Sequence, residues 1–443
     1  MILKRVGLSN IFYGWVIVGV TFLIGATEAG AFQNILSVFL KPMADTFGWS
    51  RAAISATMMF GSIGGGLISP FFGPIMDRHG TRMVAFFGVF VLSAGLVSLA
   101  FLNHIWQLYV FFGVGRMVAV GILSLVISVS VSNWFIRFRG RAMGIVWLGP
   151  RVGAAVLPAF VQYFILTQGW RFAWVALGVV VFLMSGLPSL LFLRRRPEDF
   201  GLLPDGDPVV PSKEPRNIQP CVTRETGHVP LAAEEPVWTR RQAFRTLTFW
   251  RLTAIHSLIP LAQAGINFHL FPFMTDQGIS ATLGIALIST LAIFGSVGAV
   301  SIGVLTERVS PKALLALNAF VSGLIFYGFY TLVILRIRGT GGITLLFILS
   351  ALNGFFHGGR LPLFPIIWAN YFGRHSLGSI QSLSSPFRWT ANAVGPISAA
   401  LFFDFSGSYA IPFHLFVILF FIAGFFSVSM TPPNSSRSAP MMH

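Results

Sequence analysis

The chain has 443 residues, of which 10% are charged and 55% hydrophobic, and its mean hydropathy is +0.77. A soluble protein covers its surface with roughly 25% Asp, Glu, Lys and Arg, so a dissolved compact globule is excluded. The formal charge of +16 raises the question of nucleic acid, which only the placement of the charges can answer.

A membrane helix needs about 20 mainly apolar residues, since the hydrocarbon core is about 30 Å thick. Twelve such stretches occur, near 13–40, 52–76, 83–102, 106–132, 142–167, 170–193, 249–274, 281–305, 313–335, 342–369, 376–403 and 409–430. Lipid offers backbone groups no partner, so each is expected to span as a helix. The first, from Tyr13 to Leu40, is too long for a signal peptide and lacks a small-residue cleavage site. It is expected to remain.

Between the sixth and seventh stretches lies a polar segment, Arg194 to Thr248, with Pro197, Pro204, Pro208, Pro211, Pro215, Pro220, Pro230 and Pro236 and eight of the 14 acids. That is linker composition, with a short amphipathic helix expected around Arg240–Arg245. Three parts follow: a six-helix bundle over 1–193, a cytoplasmic linker over 194–248, and a second six-helix bundle with a short tail over 249–443. The single Cys, Cys221, falls in the linker and excludes a disulfide within the chain or a cysteine metal cluster.

With both termini on the cytoplasmic side, 21 of the 30 Lys and Arg fall inside, five outside and four within helices. The positive-inside rule favours that orientation strongly. The basic balance therefore records topology, and nucleic acid is not expected as a partner.

Residues 73–82 read Gly-Pro-Ile-Met-Asp-Arg-His-Gly-Thr-Arg, and residues 303–312 read Gly-Val-Leu-Thr-Glu-Arg-Val-Ser-Pro-Lys. At the same offset of 230, Leu40 matches Leu270, Pro42 matches Pro272 and Gly65 matches Gly295. Asn133-Trp134-Phe135 is echoed by Asn370-Tyr371-Phe372. One six-helix unit is duplicated in parallel, an arrangement that places a solute site between halves near the midplane.

The repeated loop resembles the signature of the major facilitator superfamily, which implies an all-α membrane protein of twelve transmembrane helices in two pseudo-symmetric six-helix bundles. Asp77, with Arg78 and Arg82 beside it, is read as an inner-face charge cluster that gates, and Glu307, Arg308 and Lys312 as its duplicate. The alternative is a tight turn with ordinary positive-inside arginines. Tyr13-Gly14-Trp15, Phe47-Gly48-Trp49-Ser50-Arg51, Arg139-Gly140-Arg141-Ala142-Met143-Gly144, Gly169-Trp170-Arg171, Gly395-Pro396 and Asp404-Phe405-Ser406-Gly407 together resemble the monocarboxylate porter and oxalate–formate antiporter branch. That resemblance implies transport of small organic anions with a proton or by exchange. Members carrying monocarboxylates or oxalate commonly have an arginine in the eighth helix, whereas 281–305 here has no charged residue.

A charge at bilayer depth is a functional candidate by default. Arg116, Arg151, Arg360 and Arg388 lie there. Gln381, Ser385, Arg388 and Asn392 share one face of helix eleven, Asn353, His357 and Arg360 one face of helix ten, and His256, Pro260, Gln263 and Asn267 one face of helix seven. Arg388, Arg151, Arg360, Asn392, Gln263 and Asn267 are therefore expected to bind substrate. Each arginine also has a structural reading. Arg116 sits where the superfamily often has an arginine, Arg151 follows Gly149-Pro150 of a helix-packing motif, and Arg360 can bind a backbone carbonyl. Of the acids, Glu28 alone falls near the middle of an expected helix, and with Arg116 it is assigned to proton coupling; an ion pair to one of the arginines is the alternative. The histidines show no metal-binding spacing.

No phosphate-binding loop or nucleophile arrangement is present, so neither an enzyme nor an ATP-driven pump is expected, and no cofactor or metal. The expected function is secondary active transport of a small organic anion, carboxylate in type, by a monomer in the cell (inner) membrane. Export of amphipathic compounds is the rival reading, and a non-transporting sensor a remote one.

Overall fold

A computed structural model describes residues 12–31, 33–206, 236–335 and 339–433. Cys221, most of the linker and the basic residues Lys4, Arg5, Arg336, Arg338 and Arg437 lie outside the described residues. Twelve long helices follow one another: α1 Gly14–Phe47, α2 Arg51–His79, α3 Thr81–Phe101, α4 Ile105–Trp134, α5 Arg139–Gln168, α6 Trp170–Phe192, α7 Leu247–Asp276, α8 Ala281–Leu305, α9 Pro311–Ile334, α10 Thr340–Phe372, α11 over 377–406 and α12 Ala410–Ser429. Ten are long and apolar enough to cross a membrane. The two that fall short, α7 and α11, carry His256, Gln263, Asn267 and His269, and Gln381, Arg388 and Asn392. Polarity concentrated in two helices marks those that face something other than lipid.

Buried side chains form two apolar clusters, one for each half. Phe39 stacks on Trp174 at 3.6 Å in the first, and Phe273 lies 4.7 Å from Phe413 in the second. Ile366 of the second half joins the first cluster, and Val129 of the first half joins the second. A short linker helix, Arg240–Phe244, opens with Thr239 and Gln242 capping one another, and the buried Trp238 seats it against Phe372.

Glycines bring the helices of each half together, in the same way twice. Gly65 of α2 meets Gly121 of α4, and Gly295 of α8 meets Gly358 of α10. Gly65 and Gly295 are 230 residues apart, whereas Gly121 and Gly358 are 237 apart, as are Asn133 and Asn370. The duplication seen in the loops thus extends to the helix crossings. A Cβ on Gly358 would stand 2.6 Å from the carbonyl carbon of Gly295, backbone against backbone, with nothing that can swing aside. Gly19, by contrast, has open space around it. Gly358→Val should therefore overpack the α8–α10 crossing, by about 1–3 kcal/mol, and lower the unfolding temperature of purified protein. Gly19→Ala should leave it unchanged. Equal unfolding temperatures for the two variants would mean that the crossing tolerates a side chain.

Candidate functional site

The interior site is built where helices break. The first apolar stretch, expected as one continuous helix, instead runs as Gly14–Glu28, a 3-10 turn over Ala29–Ala31, and Gln33–Phe47. Glu28 is thus the last residue before a break, 3% exposed, with Oε2 buried and unpartnered among the described residues. Arg116 closes the gap. Its Nη1 donates to the Ala31 carbonyl at 2.8 Å, and its Nε donates to Ser62 Oγ at 3.0 Å and to the Met58 carbonyl at 3.3 Å. The residues after it, Ala119–Leu123, form a π segment, and a second one over Phe182–Gly186 carries Ser185, which bonds Thr27 and donates to the Leu23 carbonyl. Such segments recur at functional sites.

Helices α5 and α11 break as well, at matching places. α5 is Arg139–Val146 and then Gly149–Gln168, and α11 is Leu377–Ser382 and then Ser385–Ser406. Pro150 and Pro386 stand just past the breaks and supply no N–H. Bonds of the shorter i to i−3 kind bridge them, from Leu148 N to Ile145 and from Ser384 N to Gln381. Arg151 and Arg388 each lie within a turn of the break, and they are 237 residues apart. The prolines are 236 apart, so the two arginines fall within one residue of the same place after each break.

Between the halves lies a cavity of about 20 Å³, room for roughly one water, lined among others by Ser124, Ser128, Trp147, His256, Gln381 and Arg388. Ser128 of α4 donates to Gln381 of α11 at 2.7 Å across it. The His256 ring stacks on Phe364 at 4.0 Å, with Nδ1 unpartnered among the described residues. Arg388 lies 4.6 Å from the Trp389 ring and has no hydrogen-bond acceptor among the described residues. The charges form a connected set. Arg388 and Arg116 both act on Glu28, Arg388 and Arg360 on His256, and Arg360 and Arg151 on His357. Arg360 donates through Nη2 to Gln263 Oε1 at 2.9 Å and meets His357 Nδ1 at 3.1 Å; Gln263 in turn donates to Asn267 Oδ1 at 2.9 Å. Arg360 Nη1 and Arg151 Nε are buried without partners among the described residues.

Of the expected binding residues, only Arg388 lines this cavity. Arg360, Gln263 and Asn267 form a network within the second half, and Asn392 is half-buried one turn farther along α11. Three members of the helix-eleven stripe, Gln381, Ser385 and Arg388, line the cavity together, although Gln381 precedes the break and Ser385, Arg388 and Asn392 follow it. Trp147 carries no sequence signal as a lining residue, whereas His256 belongs to the polar face of helix seven. Helical phase does put His256 on the Gln263 face, which was the available signal.

At the end of the molecule that carries the linker, the halves are joined. The Asp77 carboxylate accepts from the amides of Gly378 at 3.0 Å and Ser379 at 2.7 Å, at the opening of the short Leu377–Ser382 segment. Glu307 accepts from Arg141 Nε at 2.8 Å. Both acids of the repeated loop therefore reach across to the other half. The expected cluster of Asp77 with Arg78 and Arg82 is corrected accordingly: Arg78 is exposed, and Arg82 donates to the Leu190 carbonyl at 2.6 Å. Likewise Arg308 is exposed and Lys312 half-buried beside Glu307. Open amides at a helix start offer a carboxylate directed donors, while the neighbouring arginines can stay solvated. Two arginines are exchanged in the same way, Arg139 Nη1 to Asn370 Oδ1 at 2.8 Å and Arg374 Nη1 to the Asn133 carbonyl at 2.8 Å.

The start of the segment read as linker from its composition straps this end. Asp205 accepts from the amides of Ile136, Arg137 and Phe138, Glu198 pairs with Arg374, and Arg195 donates to the Asp77 carbonyl at 2.8 Å.

Residues 17–339 match the family model described as Major Facilitator Superfamily. The chain is 23% identical over 418 residues to an uncharacterized MFS-type transporter, YcxA, of Bacillus subtilis, covering 89% of this chain and 90% of that protein. It is 23% identical over 428 residues to monocarboxylate transporter 12-B of Danio rerio, covering 94% and 85%. The solved proton:xylose symporter XylE superposes with a TM-score of 0.66 at 13% identity, over 95% of this chain and 96% of that one. Broken helices around buried charge, a duplicated six-helix unit and the family match lead to one conclusion: the chain belongs to the Major Facilitator Superfamily and is a multi-pass membrane transporter, not an enzyme.

Proposed function

We propose that the protein carries a small organic anion, carboxylate in type, across the cytoplasmic membrane by alternating access, with a proton moving through Glu28 and both termini and the linker in the cytoplasm. The observation that carries this reading is the Arg388 guanidinium, which lines the cavity between the halves with no hydrogen-bond acceptor among the described residues. A planar fork of donors that is always charged suits a carboxylate in a site of low effective dielectric. Arg151, its counterpart in the facing half, lays its guanidinium against Gly295, whose absent side chain makes the room. The relatives named by resemblance place an arginine on the eighth helix; here the same helix receives a guanidinium from α5. An anion drawn to both arginines pulls the halves together, and a ligand shifts a conformational equilibrium only through contacts that differ between states.

The closed linker end supports the gating part. With the halves bonded there through Asp77, Glu307, Arg139 and Arg374, access to the cavity from that side requires these bonds to part.

Arg388→Ala should eliminate substrate binding, and Arg388→Lys should weaken it about tenfold or more, the loss of a fork-shaped charged pair. Arg151→Ala should show a smaller defect. Calorimetric titration of purified protein with a carboxylate panel reads all three. Wild-type affinity in Arg388→Ala, or a cationic substrate, sinks the assignment.

Glu28→Gln should abolish accumulation driven by a proton gradient in vesicles while sparing substrate exchange. Equal loss of both would make Glu28 a structural ion-pair partner, and pH-independent wild-type transport would remove proton coupling.

Asp77→Asn should weaken the gate, because an amide has one oxygen to accept with, so at most one of the Gly378 and Ser379 bonds survives and the charge is lost. In a Cys221→Ser background, Ser128→Cys should react faster with a water-soluble maleimide from the linker side once Asp77→Asn is added, and transport should fall sharply. Unchanged labelling with normal transport would deny Asp77 the gating role.

A further inference from the structure

The linker helix creates a second site, remote from the central cavity. Arg240–Phe244 lies against the Leu377–Ser382 segment of α11, held by the buried Trp238 and Ala243 and by Trp250 Nε1, which donates to the Phe244 carbonyl at 3.0 Å. Between this helix and α11 is an open trough of about 510 Å³, lined by Arg240, Arg241, Phe244, Arg245 and Leu383. Its walls are almost wholly apolar, made by the ring, the leucine and the arginine stems. None of the three guanidiniums has an ion-pair or hydrogen-bond partner among the described residues. The exposed Trp250 and Phe387, 5.6 Å apart, stand beside it, an aromatic pair of the kind that marks a membrane–water boundary.

Three cations without a counter-charge among the described residues call for an anion, and an apolar trough beneath them calls for hydrocarbon. We propose that this trough binds an anionic phospholipid, with the phosphate held by Arg240, Arg241 and Arg245 and an acyl chain lying over Phe244 and Leu383. Free phosphate would satisfy the arginines but leave the apolar floor open, and a zwitterionic lipid would fill the floor but bring a competing cation. The geometry favours the one molecule that does both.

Native mass spectrometry of the full-length protein, with phosphatidylglycerol or phosphatidylcholine added, tests this. Wild type should retain one more phosphatidylglycerol than the Arg240→Gln, Arg241→Gln, Arg245→Gln variant, whose affinity at this site should fall by about a hundredfold, the combined effect of three basic residues. Phosphatidylcholine retention should be equal in the two proteins. The matching triple Lys variant, which keeps the charge, should hold the lipid and shows that the helix still folds. Excess inorganic phosphate should not displace the lipid. Equal phosphatidylglycerol retention in wild type and the Gln variant overturns the site. Complete displacement by phosphate overturns the lipid and leaves a free-anion site.

Discussion

Five formal charges lie in the middle of this bundle, Glu28, Arg116 and Arg360 buried and Arg151 and Arg388 half-buried, and the rest of the architecture answers to them. One charge at the centre of a membrane helix costs about 2.5–3.5 kcal/mol even on the lenient scales, so each must find a partner that the protein or its cargo supplies. Arg116 finds backbone: it takes the Ala31 carbonyl at the break in α1. Arg360 takes Gln263 and His357. Glu28 feels the charges of Arg388 and Arg116. Four guanidiniums against one carboxylate still leave the interior with a net positive charge of three, and Arg388 and Arg151 are the two without a hydrogen-bond acceptor among the described residues. That imbalance is what the proposed anionic cargo would offset.

The second organising fact is duplication. Glycine crossings, helix breaks, one arginine and the loop acid all occur twice, at offsets of 230 to 237 residues, so one set of local solutions serves both halves. The copies are not identical in chemistry. Asp77 binds two backbone amides at Gly378 and Ser379, and its counterpart Glu307 binds the Arg141 side chain. Position 141 and position 378 are themselves repeat partners, so the same place in the fold is satisfied once by a backbone donor and once by a guanidinium. Each solution removes a carboxylate from an apolar surround without asking the same residue type to do it.

The twelve helices and the repeat were legible in the sequence because hydropathy over twenty residues is a strong signal and the loop motif occurs twice. Even the helices that are least apolar, α7 and α11, were found, since His256, Gln263 and Arg388 are too sparse to hide the surrounding apolar residues. The breaks were not legible. Nothing at Ala29–Ala31 signals a 3-10 turn, because Ala and Gly accept either geometry, and Arg116, whose guanidinium meets that turn, is 85 residues away. The partners of Asp77 escaped for a similar reason: they are backbone amides, which carry no side-chain signature. The strap of Glu198 and Asp205 was masked by the proline-rich composition around it.

On the proposed reading, the breaks also give a distant gate and a central site a way to share one motion. In α5 the segment Arg139–Val146 carries Arg139 and Arg141, both engaged at the linker end, while Arg151 follows the break. In α11 the segment Leu377–Ser382 carries the amides that bind Asp77, while Arg388 follows the break. Each break therefore lies between a contact at the linker end and an arginine of the proposed site, about three helical turns apart. A continuous helix would transmit a shift of the arginine rigidly to the gate. A helix broken at Trp147–Leu148 or Leu383–Ser384 can change its angle there, at the cost of few backbone bonds, since Pro150 and Pro386 lack an N–H. On the proposed reading, an anion held between Arg151 and Arg388 acts on both broken helices at once. Tilting the long segments about their breaks then strains the Asp77 and Glu307 contacts together, which is how a small ligand can release a gate made of several individually modest bonds.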